Sequence, residues 1–144
     1  MSQLDLKGIE YIGADIVPQL VDQCRRRYPD RRFELLDACT DRLPQADLIF
    51  SRDCLVHLSF DQIHMAIRNF ISSGAQWLLS THFPGRANNE IPTGAWRPID
   101  LCAWPIELPM PRMVINEGCE EGFGEFRDKS LGLWNIDEVA QYLA

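Results

Sequence analysis

Residues 47–58 read Asp-Leu-Ile-Phe-Ser-Arg-Asp-Cys-Leu-Val-His-Leu (DLIFSRDCLVHL). The apolar run Leu48-Ile49-Phe50 is short and has polar residues on both sides, the signature of a strand buried in a parallel sheet. It ends on Ser51, Arg52 and Asp53, with His57 soon after. Polar groups at a strand's end carry meaning in an open parallel sheet, because ligands bind beyond the carboxyl ends of the strands, where strand order reverses.

Downstream of this stretch, Ser59 with Gln62 three residues later forms a capping-box pattern that opens a helix. Ile63, Ile67 and Phe70 supply its buried stripe, and Gly74 closes it. Residues 77–81 (WLLST) form the next strand. Upstream, residues 9–14 (IEYIGA) read as a strand ending at Asp15. Pro18 suits the first turn of a helix carrying Leu20, Val21 and Cys24. Residues 33–36 (FELL) make a further strand that ends at Asp37. The opening residues MSQLDLKG read as a last helical turn stopped by Gly8. Strands alternating with helices predict an α/β fold around a mostly parallel sheet.

Beyond Pro84 the pattern changes. Residues 84–111 hold most of the chain's nine prolines, together with Trp96 and Trp104. They are expected to form a long loop, equally an acceptor lid or a cover over the sheet edge. Residues 112–116 (RMVIN) and 131–135 (LGLWN) predict an antiparallel hairpin, joined by the acidic, glycine-rich loop 117–124. Asp137 is expected to cap a final helix reaching Ala144. All of 1–144 reads as a single, partial domain.

Composition excludes several classes. The net charge is -7, whereas a nucleic-acid footprint is basic. The only basic cluster, Arg25, Arg26, Arg27, Arg31 and Arg32, reads as a helix end that complements the dipole. No apolar run approaches the ~20 residues of a membrane span. Five cysteines without a CxxC pair suit a reducing compartment, so a cytoplasmic location is expected.

Three strand ends thus carry polar groups: Asp15, Asp37 and the Ser51-Arg52-Asp53 turn. A carboxylate is acceptor-only with two oxygens, which matches a pair of ribose hydroxyls at Asp15 and an exocyclic amine at Asp37. The plainer reading makes each acid a turn or cap residue; two at this spacing favour the nucleoside. His57 reads either as a general base near such a site or as a residue packed on the next helix. His82, at the end of strand 77–81, and His64, inside the helix, are weaker candidates.

Residues 11–16 (YIGADI) resemble the second-strand motif of class I S-adenosylmethionine-dependent methyltransferases. Residues 33–38 (FELLDA) are similar to their adenine-contacting third strand, and 47–58 to their fourth strand with its following turn. The resemblance continues through 77–81 and the closing hairpin. It implies a Rossmann-like, mostly parallel sheet with helices on both faces and a C-terminal antiparallel hairpin. It implies S-adenosylmethionine as cofactor, bound by Asp15, Ile16, Asp37, Ala38, Ser51, Arg52 and Asp53, with no metal.

One departure stands out. No glycine-rich turn of that family precedes Tyr11, and Gly118, Gly122 and Gly124 lack the strand-turn-helix setting of such a motif. The family's first strand is therefore expected to be missing, as in a truncated domain, with a homodimer or a complementing chain satisfying the open edges. The expected acceptor is a small molecule or a protein. The rival reading is a catalytically inactive, methyltransferase-like subunit; a nicotinamide-dependent oxidoreductase fits less well, because Asp37 and residues 51–58 would have no role in it.

Overall fold

The structure, a computed structural model, describes residues 6–143. The chain divides into two compact units, Met1–Asp41 and Arg42–Ala144.

In the first unit, β1 (Ile12–Asp15) and β2 (Arg32–Leu35) pair in parallel, with α1 (Pro18–Arg27) as the crossover between them. β1 begins three residues later than the alternation in 9–14 suggests, because a turn closed by Ile9 N–H on the Leu6 carbonyl (3.0 Å) precedes it. Val17 caps α1 without a side-chain bond of its own. Instead the Val17 N–H donates to the Asp15 carboxylate at 2.8 Å, and Pro18 follows, where a missing N–H is harmless. At the other end, Arg25 donates twice to the Phe33 carbonyl (3.0 and 2.8 Å), fastening the helix to β2. Phe33 also explains Gly13: a Cβ there would lie 2.5 Å from the phenyl ring.

The second unit contains β3 (Leu48–Ser51), a 3-10 turn (Leu55–His57), α2 (Phe60–Ser72) and β4 (Trp77–His82). It continues with β5 (Met113–Asn116), β6 (Ser130–Asn135) and α3 (Ile136–Tyr142). Its sheet order is β3-β4-β6-β5. β3 and β4 are parallel; β6 is antiparallel to both β4 and β5. The expected hairpin exists, and its later strand lies inside while β5 forms the outer edge. Burial accounts for this: Ser130, Gly132 and Trp134 of β6 are buried, whereas all four residues of β5 are exposed. Trp134 lies across Gly132, where a Cβ would come within 2.2 Å of the indole.

Parallel and antiparallel pairing with three helices gives the mixed α/β architecture expected. Helix α2 runs as predicted, with the Ser59 hydroxyl accepting from the Gln62 N–H and Ile63, Ile67 and Phe70 buried. Helix α3 differs from expectation at its start. Its cap is Asn135, which accepts from the Glu138 N–H at 3.2 Å. Asp137 lies in the first turn, where its charge complements the helix dipole. The helix ends at Tyr142, and Ala144 lies outside the described residues, as do residues 1–5 of the expected N-terminal helical turn.

Residues 84–112 contain no helix or strand, but the segment turns inward. Ile99, Leu101, Ile106 and Leu108 are buried in the core with Leu55, Val56, Leu78 and Phe83. Backbone bonds from Phe83 to Ile99 (2.8 Å), Gly94 to His57 (2.9 Å) and Arg97 to Val56 (3.1 Å) fix its course. The Trp134 indole N–H donates to the Pro109 carbonyl at 2.7 Å. The segment thus contributes apolar side chains to the core, while Trp96 and Trp104 stay exposed. No helix among the described residues is long and apolar enough to cross a membrane.

Candidate functional site

The first unit brings two of the expected acids to one edge. Asp15 is the last residue of β1, and Asp37 follows β2 by two residues. Because the strands are parallel and the Leu36 N–H extends the pairing onto the Asp15 carbonyl (3.0 Å), both acids lie past the same carboxyl end of adjacent strands. Each is partly occupied locally. One Asp15 oxygen takes the Val17 N–H, and Asp37 Oδ1 takes the Cys39 N–H at 2.8 Å. These bonds fix the side chains while leaving acceptor capacity, since a carboxylate offers about four lone-pair directions. Ile16 stands beside Asp15 with 62% of its surface exposed, an apolar flank suited to a flat ring. Ala38 is half-buried next to Asp37.

The second unit gathers charge at the ends of β3 and β4. Ser51 is buried; its carbonyl accepts from the Ser80 hydroxyl (3.1 Å), and its own hydroxyl has no partner. Arg52 turns away to Glu117, Nε to Oε1 2.7 Å. That bond, opposed by partial burial, holds its guanidinium further above its ordinary range. Asp53 adopts the left-handed φ of 54°, uncommon for any residue but glycine and easiest for Asn and Asp. Its N–H donates to the Thr81 hydroxyl at 2.8 Å. Its two carboxylate oxygens receive the Lys129 ammonium at 2.8 and 2.9 Å.

Lys129, Thr81 and Glu117 were not singled out from sequence. Lys129 is buried and immediately precedes β6, whose first residue pairs with His82 at the end of β4. Only that long-range pairing brings the ammonium to Asp53. The sequence signal available was a lone lysine directly before the apolar run 131–135.

The histidines diverge. His57, in the 3-10 turn, donates from Nδ1 to the Ala95 carbonyl at 2.9 Å, joining the turn to the proline-rich segment and leaving Nε2 as the ring's basic atom. His64 donates from Nε2 to the Pro105 carbonyl at 3.1 Å. His82 is buried, and burial pushes its pKa down against the opposing pull of Asp100. Arg97 is another unanticipated charge. It is buried, donates to the Leu58 carbonyl at 2.8 Å and stacks over the Phe60 ring. Burial lowers its pKa, with Glu90 opposing.

No protein-family profile and no curated protein matches the sequence. Solved structures do match. A TehB-like SAM-dependent methyltransferase from Corynebacterium glutamicum aligns with a TM-score of 0.63 and 15% identity, covering 89% of this chain and 68% of that one. The O-methyltransferase of a trans-AT PKS multienzyme from Brevibacillus brevis, in complex with S-adenosyl-L-homocysteine, aligns at 0.61 and 13%, covering 95% and 65%. The fold is that of a class I S-adenosylmethionine-dependent methyltransferase. Magnesium protoporphyrin IX methyltransferase from Synechocystis, with bound SAM, is 19% identical with a TM-score of 0.49; the match covers 58% of this chain and 43% of that one. The chain therefore spans between 43% and 68% of these three proteins. Within the methyltransferase-like fold, each unit carries polar groups at the carboxyl ends of its parallel strands.

Proposed function

We propose that the chain serves methyl transfer from S-adenosylmethionine to a small-molecule or protein acceptor. The observation that carries this reading is the pair Asp15 and Asp37, past the carboxyl end of two adjacent parallel strands in a fold of this class. The donor set fits the cofactor's nucleoside. Asp15 accepts the ribose hydroxyls with its remaining lone pairs, Asp37 accepts the adenine amine, Ala38 contributes its backbone, and Ile16 covers a ring face.

When bound, the cofactor supplies an already activated sulfonium methyl group, so the protein's part is alignment and exclusion of water. In the second unit, taken by itself, Ser51, Arg52 and Asp53 form a polar turn at the end of β3. The Ser51 hydroxyl is the free donor there, and the Lys129 ammonium holds the Asp53 carboxylate in place. His57 is assigned to the acceptor: Nδ1 is held by Ala95, so Nε2 is the atom available to take a proton.

Calorimetry with S-adenosylhomocysteine tests the reading. Binding heat is expected in the wild type and is expected to vanish in Asp15→Ala. Silence in the wild type would instead favour the inactive-subunit reading.

A further inference from the structure

Away from the residues assigned above, β4 ends in a buried cluster of different chemistry. His82 is 2% exposed and Asp100 7%, and Cys102 is half-buried beside them. One ligand atom from each, an imidazole nitrogen, a carboxylate oxygen and the thiol sulfur, lies within 4.8 Å of the other two. We propose that His82, Asp100 and Cys102 form a zinc-class divalent metal site, with a water molecule in the fourth position.

The geometry suits the ion. His82 Nδ1 and Asp100 Oδ1 are 3.6 Å apart. Two ligands ~2.0–2.1 Å from a tetrahedral zinc are separated by about 3.4 Å, so these atoms already stand at nearly the required spacing. The Cys102 sulfur lies within 4.8 Å of a ligand atom of each of the other two and donates to the Pro109 carbonyl at 3.5 Å, a weak bond that the metal would replace. Mixed sulfur, nitrogen and oxygen donors are the set zinc accepts, whereas magnesium and calcium require oxygens.

Each donor is presented in a usable state. The Leu101 N–H points at His82 Nδ1 from 3.3 Å, a long bond that an N–H can make only to an unprotonated nitrogen. The Nδ1 lone pair therefore faces the 100–102 turn, and the Leu101 bond is weak enough to yield to a metal. The Asp100 oxygens accept from the Gly85 N–H (2.7 Å) and the Cys102 N–H (2.8 Å). These bonds orient the carboxylate and leave a lone pair on each oxygen, the outer support that metal-ligating carboxylates commonly have.

Charge balance suits the ion. Asp100 is a buried carboxyl group held by the Gly85 and Cys102 N–H groups. On binding, the thiol proton leaves to solvent as the sulfur–metal bond forms, and a thiolate and a carboxylate then balance the two positive charges. The half-exposed side of Cys102 provides the route in. The site would tie the end of β4 to the middle of the proline-rich segment.

Cobalt(II) is the direct probe, added to the chelator-treated full chain under reducing conditions. We expect one equivalent to bind with tetrahedral visible bands and a thiolate-to-cobalt charge-transfer band in the near ultraviolet, both removed by zinc. Cys102→Ser should abolish the charge-transfer band, Cys54→Ser should leave it intact, and Asp100→Asn should weaken binding by about 10-fold or more. Independently of any variant, the wild-type melting temperature should rise with zinc concentration and not with magnesium. Absence of stoichiometric cobalt binding by the wild type, or an unchanged charge-transfer band in Cys102→Ser, would overturn the proposal.

Discussion

The two units of the chain are built on different terms. Of the apolar side chains buried in the described structure, only Val21 and Leu36 belong to the first unit; Leu55, Val56, Ile63, Ile67, Phe70, Leu78 and Trp134 are among those of the second. Ile9, Ile16, Val17, Leu20 and Leu35 of the first unit are substantially exposed. A segment of its size buries too little apolar surface to be stable by core packing alone. The first unit holds its acids on local hydrogen bonds, such as Val17 to Asp15 and Arg25 to Phe33. The second fixes its charges with long-range pairing. The recognition proposed for Asp15 and Asp37 would thus rest on a thin scaffold, at the end of a short parallel ladder.

This contrast can be broken most directly by amide hydrogen exchange. Amides of β1 and β2 should exchange orders of magnitude faster than those of β4 and β6, since local opening is easier where few apolar contacts must break. Equal protection in both units would refute it. Next in size is core truncation. Ile67→Ala should cost about 2–5 kcal/mol in denaturant melts, whereas Leu20→Ala, on an exposed position, should stay within about 0.5 kcal/mol. Lys129→Met should cost about 2 kcal/mol, less than the loss of a fully enclosed pair because Asp53 keeps some solvent. A neutral result there would show that Asp53 does not depend on the ammonium.

A smaller effect concerns acid. Arg86 holds the Asp128 carboxyl below its ordinary range by direct hydrogen bonding. A depressed folded-state pKa adds stability above the unfolded value of about 4, and that stability is lost as pH falls through the lower folded value. Arg86→Gln should therefore lower the melting temperature at neutral pH and shrink the fall seen on acidification below about pH 4. The smallest expected change is in Asp15→Ala, which removes one hydrogen bond at the start of α1 and should cost about 1 kcal/mol. Its consequence for nucleoside binding would be far larger, and that separation distinguishes a binding residue from a cap.

Much of this fold is local enough to read from sequence. The acid-ended strands, the Pro18 start of α1 and the Ser59 cap of α2 each depend on residues a few positions apart; the helix starts occur where expected and the strands within three residues of it. The place of β6 between β4 and β5 depends on its register against β4 and on Trp134 reaching the Pro109 carbonyl, which no short-range pattern encodes. The cap of α3 was misassigned for a related reason: Asn135 and Asp137 are both good cap residues, and only the length of β6 decides between them. At the candidate sites, Asp15, Asp37 and Asp53 were legible as strand-end acids. Lys129, like the meeting of Asp100 and Cys102 with His82, needed the path of a long segment without regular structure.

The left-handed backbone at Asp53 has an evolutionary consequence. Glycine would adopt that torsion freely, but Asp53→Gly would also strip the buried Lys129 ammonium of its partner. The same exchange would delete the carboxylate from the turn. At this position the torsion and the ion pair pull in opposite directions, and a library ranked on melting temperature would keep the acid despite the backbone it must adopt.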